Sequence, residues 1–182
     1  MKHEIKHNKN SGFTIVETLV SLAIFAVSVI GLITVSARGI SDSSMAKNRL
    51  TATYLAQEGL ELMRNKRDTA IIADSANGWV NFQSSTQDCA PLQGGCDVDP
   101  INEAIYKCNT GSCIIQADSV TGYYGHGSTN GANSIFKRVI TLQEPTEWGS
   151  NPDEYQMTVT VTWTQGVSTQ SIKLVENIYN WQ

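Results

Sequence analysis

Hydrophobic residues follow three successive textures along this chain. From Phe13 to Ala37 the run FTIVETLVSLAIFAVSVIGLITVSA is apolar or small on every side, with Glu17 its one ionisable residue. A helix of that length rises about 38 Å, enough to cross a hydrocarbon core roughly 30 Å thick. Over residues 45–67 the spacing changes. Ala52, Leu55, Ala56, Gly59, Leu62 and Met63 fall on one helical face, with Lys47, Arg49, Gln57, Glu58, Glu61 and Arg64 largely elsewhere. Gly31 and Gly39 are weak interruptions and no proline precedes Pro91, so the two stretches predict one helix from about 13 to about 66, on the order of 80 Å long. Its first half has no globular partner of its own; its second half carries a stripe suited to docking on a sheet.

After Asp68 the chain turns to Gly, Ser, Asn and Asp between short apolar runs, the texture of a loop-rich β region. The expected strands are Trp79–Gln83, Ala104–Cys108, Cys113–Ala117, Ile135–Gln143, Glu154–Thr164 and Thr169–Val175. In the fifth, Tyr155, Met157, Val159, Val161 and Trp163 alternate with Gln156, Thr158, Thr160 and Thr162, the period of a strand with one buried face. Gln165-Gly166-Val167 turns it into the last strand as a hairpin. The expected fold is α+β: a long N-terminal helix, transmembrane in its first half and amphipathic in its second, packed on a C-terminal antiparallel sheet.

Composition adds little by itself, since 41% hydrophobic and 16% charged residues make an ordinary globular balance with room for one cored domain in 182 residues. Charge placement says more. Residues 1–12 hold Lys2, Lys6 and Lys9 against Glu4, a net +2, so the total of -4 leaves about -6 on the remainder. An acidic body without a basic cluster argues against a nucleic-acid partner. Lysines ahead of the apolar run place the short N-terminus in the cytoplasm and everything after Arg38 outside. The run is also longer than the 7–15 residues typical of an ordinary secretory signal.

Cys89, Cys96, Cys108 and Cys113 lie within one short stretch, as they would if local loops were stapled in an oxidising compartment. Of three possible pairings, Cys89–Cys96 with Cys108–Cys113 closes the shortest loops, and Asn109-Thr110-Gly111-Ser112 reads as a hairpin turn inside the second. A zinc site fits less well, because the C-x6-C spacing departs from the usual C-x2-4-C. Asp97, Asp99, Asn102 and Glu103 offer calcium-like oxygens, but Pro100 and the missing glycine depart from a calcium loop, and a solvated acidic turn is expected. The Gly-rich segment 118–133 reads as a connecting loop with Tyr123 or Tyr124 tucked on the sheet, or as a surface that contacts a partner through these aromatics. Outside the leader the only histidine is His126, no catalytic motif occurs, and neither enzyme chemistry nor a cofactor is expected.

Glu17 needs an explanation, because a carboxylate inside an apolar spanning helix costs a few kcal/mol at mid-bilayer and is functional by default. Ser11-Gly12-Phe13-Thr14-Ile15-Val16-Glu17-Thr18-Leu19-Val20 closely resembles the prepilin cleavage and methylation signature of type IV pilins and type II secretion pseudopilins. The resemblance implies cleavage by prepilin peptidase between Gly12 and Phe13, methylation of the Phe13 amine by the same enzyme, and pairing of Glu17 with the Phe13 amine of a neighbouring subunit. A buried pair of that kind neutralises both charges and fixes axial register.

The implied organisation is a cleaved leader (1–12), a transmembrane and filament-core helix (13–37), its amphipathic continuation (38–67) and an exported β-rich head (68–182). The implied partners are other pilin or pseudopilin subunits, prepilin peptidase, an inner-membrane assembly platform and, before assembly, membrane lipid. The chain is thus expected as a single-pass inner-membrane protein that becomes a cell-surface or periplasmic filament subunit.

Many major pilins carry a proline about twenty residues into the mature helix; here Gly31-Leu32-Ile33-Thr34 stands in that neighbourhood, which suits a minor pilin or pseudopilin. Ala56–Asp68, the Phe136-Lys137-Arg138-Val139 strand, the MTVTVTW stretch and Asn180-Trp181 resemble the C-terminal regions of minor pilins in the pseudopilin subgroup. The competing expectation is a single-pass anchored extracellular binding module, which would leave Gly12, Phe13 and Glu17 unexplained together.

Overall fold

A computed structural model of the chain describes residues 12–108, 113–127, 130–144 and 153–181. The leader lysines and the expected turn Asn109-Thr110-Gly111-Ser112 lie outside the described residues. The chain divides into two compact units at Met45 and Ala46.

The first unit holds the beginning of α1 (Ile15–Ala73). Its large apolar side chains from Phe13 to Ile40 are exposed, apart from the half-buried Val29. The hydroxyls of this stretch turn back on their own helix: Thr18 Oγ1 donates to the Ile15 carbonyl, Ser21 to Glu17, Ser28 to Ile24 and Thr34 to Ile30, at 2.8–2.9 Å. Their polarity is satisfied within the helix, so the segment presents little but hydrocarbon to its surroundings.

The second unit contains α1 from Ala46 onward and an antiparallel sheet of seven strands. Helix α1 passes its expected end near residue 66 because Asp68–Ala73 contains no breaker and Ile71 finds a buried position. It stops where Asp74 folds back, its Oδ1 accepting the Ala76 and Asn77 amides.

The strands are β1 (Cys96–Val98), β2 (Ile105–Lys107), β3 (Ile114–Asp118), β4 (Tyr124–Gly125), β5 (Gly131–Gln143), β6 (Glu154–Gln165) and β7 (Ser168–Tyr179). Strand β5 organises the sheet. One side pairs with β6, from Phe136 opposite Trp163 to Gln143 opposite Gln156. The other side is shared, with β3 alongside Gly131–Lys137 and β1 meeting it at the single pair Cys96 and Ile140. The β6–β7 hairpin closes with Gln165 opposite Ser168 and Gly166 at φ 61°, the glycine-first form of a two-residue loop.

The core lies between the α1 stripe and one sheet face. Ala52, Leu55, Ala56, Gly59 and Met63 are buried against alternate residues Phe136, Ile140 and Leu142 of β5 and Met157, Val159, Val161 and Trp163 of β6. Gly59 marks the closest approach: a Cβ there would stand 3.1 Å from both Arg138 Cδ and Val159 Cγ1.

One expected strand is a helix. Trp79–Gln83 lies in α2 (Gly78–Ser85), although its residues favour strands. Trp79 and Phe82, three apart, are both buried with ring centroids 5.5 Å apart, while Val80 is exposed; this is helical spacing that the strand reading overlooked. Gly78 permits the packing, because a Cβ there would meet Ile71 Cα at 2.4 Å and the Ala70 carbonyl at 2.6 Å.

Candidate functional site

Two places in the molecule carry unusual chemistry. The first is the start of α1. Thr14 stands just ahead of the helix, and its Oγ1 accepts the Glu17 amide at 3.3 Å while its carbonyl accepts the Thr18 amide at 3.2 Å. This is an N-cap followed three residues later by glutamate, a pattern legible as T-x-x-E that the hydrophobic reading had passed over. The cap sets the helix start. Gly12 and Phe13 lie before it, exposed, and Glu17 falls in the first turn, where a carboxylate also suits the positive end of the helix dipole.

The second is a buried ionic cluster in the head. Arg138 sits in β5 in the core-facing register of Phe136, Ile140 and Leu142 and is 0% exposed. Its Nε donates to Asp97 Oδ1 at 2.5 Å, Nη1 to the Leu55 carbonyl at 3.1 Å and to Glu58 Oε2 at 2.7 Å, and Nη2 to the Val98 carbonyl at 2.8 Å. Asp97 in turn holds the Val98 amide and, through Oδ2, His126 Nε2 at 2.7 Å. The His126 ring stacks on Tyr106, centroids 4.6 Å apart. Asp99 accepts the Ile101 and Asn102 amides on one oxygen and the His126 amide on the other.

This corrects the expected solvated acidic turn: Asp97 and Asp99 are 0% and 1% exposed. Their oxygens serve Arg138, His126 and backbone amides, and among the described residues no group of three or more His, Cys, Asp and Glu is placed to hold a metal. The cluster ties α1, β1, β5 and the turn after β4 together, which is a structural task. Arg138 alternates in phase with the apolar residues of its strand, and that parity was the available signal.

The disulfides staple the same region. Cys89 is joined to Cys96, at the first residue of β1, and Cys108 to Cys113, between β2 and β3. Tyr124 is partly buried and packs edge-on against Phe136, whereas Tyr123 is 64% exposed.

A long N-terminal helix packed, through its second unit, on a C-terminal antiparallel sheet is an α+β fold of the pilin-like class. Residues 7–33 match the family model for the prokaryotic N-terminal methylation motif. Motif and apolar helix together support the type IV pilin-like family, as a pilin or pseudopilin, a structural rather than enzymatic class. The motif implies processing by prepilin peptidase and assembly with other pilin subunits, and the helix is long and apolar enough to fit a membrane-anchored pilin. No curated protein and no solved structure gives a significant match to the chain.

Proposed function

We propose that the chain is a structural subunit of a type IV pilus-like or type II secretion filament, of the minor-pilin or pseudopilin kind. In this reading prepilin peptidase cuts between Gly12 and Phe13 and methylates the new Phe13 amine. Residues 13–37 cross the inner membrane and later pack in the filament core, residues 38–67 continue as the amphipathic helix, and the head from residue 68 lies outside the cytoplasm. An inner-membrane assembly platform moves each subunit out of lipid and into the filament.

The observation that carries the proposal is the capped start of α1 within the matched motif. The Thr14 cap leaves the Gly12-Phe13 bond outside the helix, open to a peptidase, and places Glu17 within one turn of the amine that cleavage creates. Glu17 in hydrocarbon is unfavourable alone; opposite the Phe13 amine of a neighbour both charges are neutralised and one axial register is preferred. The missing helix proline supports a minor pilin or pseudopilin over a major pilin.

The test is co-expression with a prepilin peptidase and an assembly platform, comparing the parent with Glu17→Ala. The reading requires both to be cut at Phe13 and only the parent to appear in the sheared filament fraction. Equal incorporation of Glu17→Ala would remove the assigned role of Glu17. A parent chain that is never cut and stays in the membrane would favour the anchored binding module.

A further inference from the structure

Strand β7 is 12 residues long and ends its sheet: it pairs with β6 and, among the described residues, with no strand on its other side. The β6–β7 register runs unbroken from the two-residue loop, so the bonding pattern follows from the first pair. Gln165 and Ser168 exchange both backbone bonds, and every second pair after them does the same. Gln170, Ile172, Leu174 and Glu176 therefore turn their N–H and C=O groups toward β6. Thr169, Ser171, Lys173, Val175 and Asn177 turn theirs outward, where nothing meets them among the described residues. Tyr179, next in phase, gives its carbonyl to Arg67 and closes the free stretch.

The side chains of the outward-bonding residues are exposed, on the face away from α1. On the other face Ile172 and Leu174 are only partly buried, although their partners in β6, Val161 and Val159, are fully buried. Beside Leu174 a groove of about 580 Å³ lies between β7 and α1, walled on the helix side by Gln57, Leu60, Glu61 and Arg64.

An edge of this length offers alternating donors and acceptors that another extended backbone satisfies in full. Neither proline nor bulge blunts it, and Lys173 is the one charge on its outer face. Lys173 also stands at the middle of the free stretch. A second copy pairing antiparallel over Thr169–Asn177 would set Lys173 directly opposite its own counterpart, an unfavourable pair. The strand that fits has an acidic residue there, flanked by apolar residues that fall opposite Ile172 and Leu174 and face the groove.

We propose that β7 is a docking edge for an extended segment of another protein, of the pattern apolar–acidic–apolar, which adds antiparallel to the sheet as a further strand. The inference stands on the head alone and goes beyond the filament reading, because its partner is not a copy of this chain.

The experiment uses the full chain, made with a prepilin peptidase and held in detergent, and the labelled peptide Thr-Ser-Thr-Val-Glu-Val-Thr-Ser-Thr, with binding read by fluorescence anisotropy. Replacing the central Glu of the peptide by Lys should weaken binding about tenfold, and Lys173→Glu in the chain should reverse that preference. Val175→Pro removes one outward N–H without touching the β6 ladder and should also weaken binding about tenfold. Amide exchange, followed residue by residue, should slow at Ser171, Lys173 and Val175 when the peptide binds and change little at Ile172 and Leu174, which already donate to β6. No saturable binding, equal affinity for the two peptides, or protection without that alternation overturns the proposal. Slow exchange at Ser171, Lys173 and Val175 before peptide is added also overturns it, since the edge would then be covered by the chain itself or by a second copy. Should Val175→Pro fail to fold, Lys173→Glu decides, because Lys173 is exposed and has no ion pair among the described residues.

Discussion

Replacing Asp97 with asparagine probes the most costly arrangement in the head. The substitution keeps the shape of the side chain and removes its charge, leaving Arg138 fully buried with only Glu58, which is itself 38% solvent-exposed, as an ionic partner. Breaking a buried pair by removing one member costs about 3–5 kcal/mol, because the remaining charge keeps its desolvation penalty. Four of the five Arg138 N–H groups donate in the intact cluster, one of them to Asp97; asparagine keeps an acceptor oxygen there but supplies no charge. A loss of that size lowers the midpoint of thermal unfolding by on the order of 10 °C. Arg138→Met alone strands Asp97 and should cost a similar amount, whereas the double variant Asp97→Asn/Arg138→Met should recover much of the loss, since an apolar replacement of a whole buried pair is often close to neutral. The assay is urea unfolding of the processed chain in detergent, followed by the fluorescence of the buried Trp79 and Trp163. A cost below about 1 kcal/mol for Asp97→Asn, or additive losses in the double variant, would refute the cluster as the lock of the head.

Four further outcomes follow from the packing, the disulfides and the end of α1. Gly78→Ala forces a methyl against the Ile71 and Ala70 backbone and should cost about 3 kcal/mol or more. Gly59→Ala meets only side chains at 3.1 Å and gains about 1 kcal/mol of helix propensity, so it should be near neutral; equal melting of the two variants would contradict the geometry. Replacing Cys89 and Cys96 together with serine removes a seven-residue closure and should lower stability by about 2 kcal/mol in urea, with reduction of the parent costing more because the Cys108–Cys113 closure opens too. Asp74 is held below the usual carboxylate range, first by the Asn77 side chain and then by the Asn77 and Ala76 amides. A depressed folded-state value means stability present above the unfolded pKa and lost as pH falls through the folded one. The difference in melting temperature between parent and Asp74→Ala should therefore be full at pH 7 and close below about pH 4; a difference that stays constant into strong acid would count against this.

The long helix, the three long strands and the final hairpin were legible because each is periodic over many residues and a single face decides its register. Residues 79–83 misled because β-favouring residues were read as a strand, while the deciding fact was the pairing of Trp79 and Phe82 beside a glycine that admits close helix contact. Strand β1 is three residues long and carries an aspartate in the core, so no alternation could announce it. The ionic cluster was half visible. Arg138 stands in phase with Phe136 and Ile140, but its partners come from α1, β1 and the turn after β4, and no local pattern joins residues so distant in sequence. At the other end of the chain the motif around Phe13 is local and could be read in full, except for the Thr14 cap, whose polar spacing was hidden inside an apolar run.

The central claim is that this chain is cut and modified as a prepilin and folds outside the cytoplasm. Its most direct test is the intact mass and N-terminal sequence of the membrane-extracted product made with a prepilin peptidase, measured with and without reductant. The account predicts a mature chain beginning at N-methylated Phe13 that gains four hydrogens' mass on reduction of its two disulfides. A product that keeps Met1, or a soluble one that begins beyond Ala37, would contradict it.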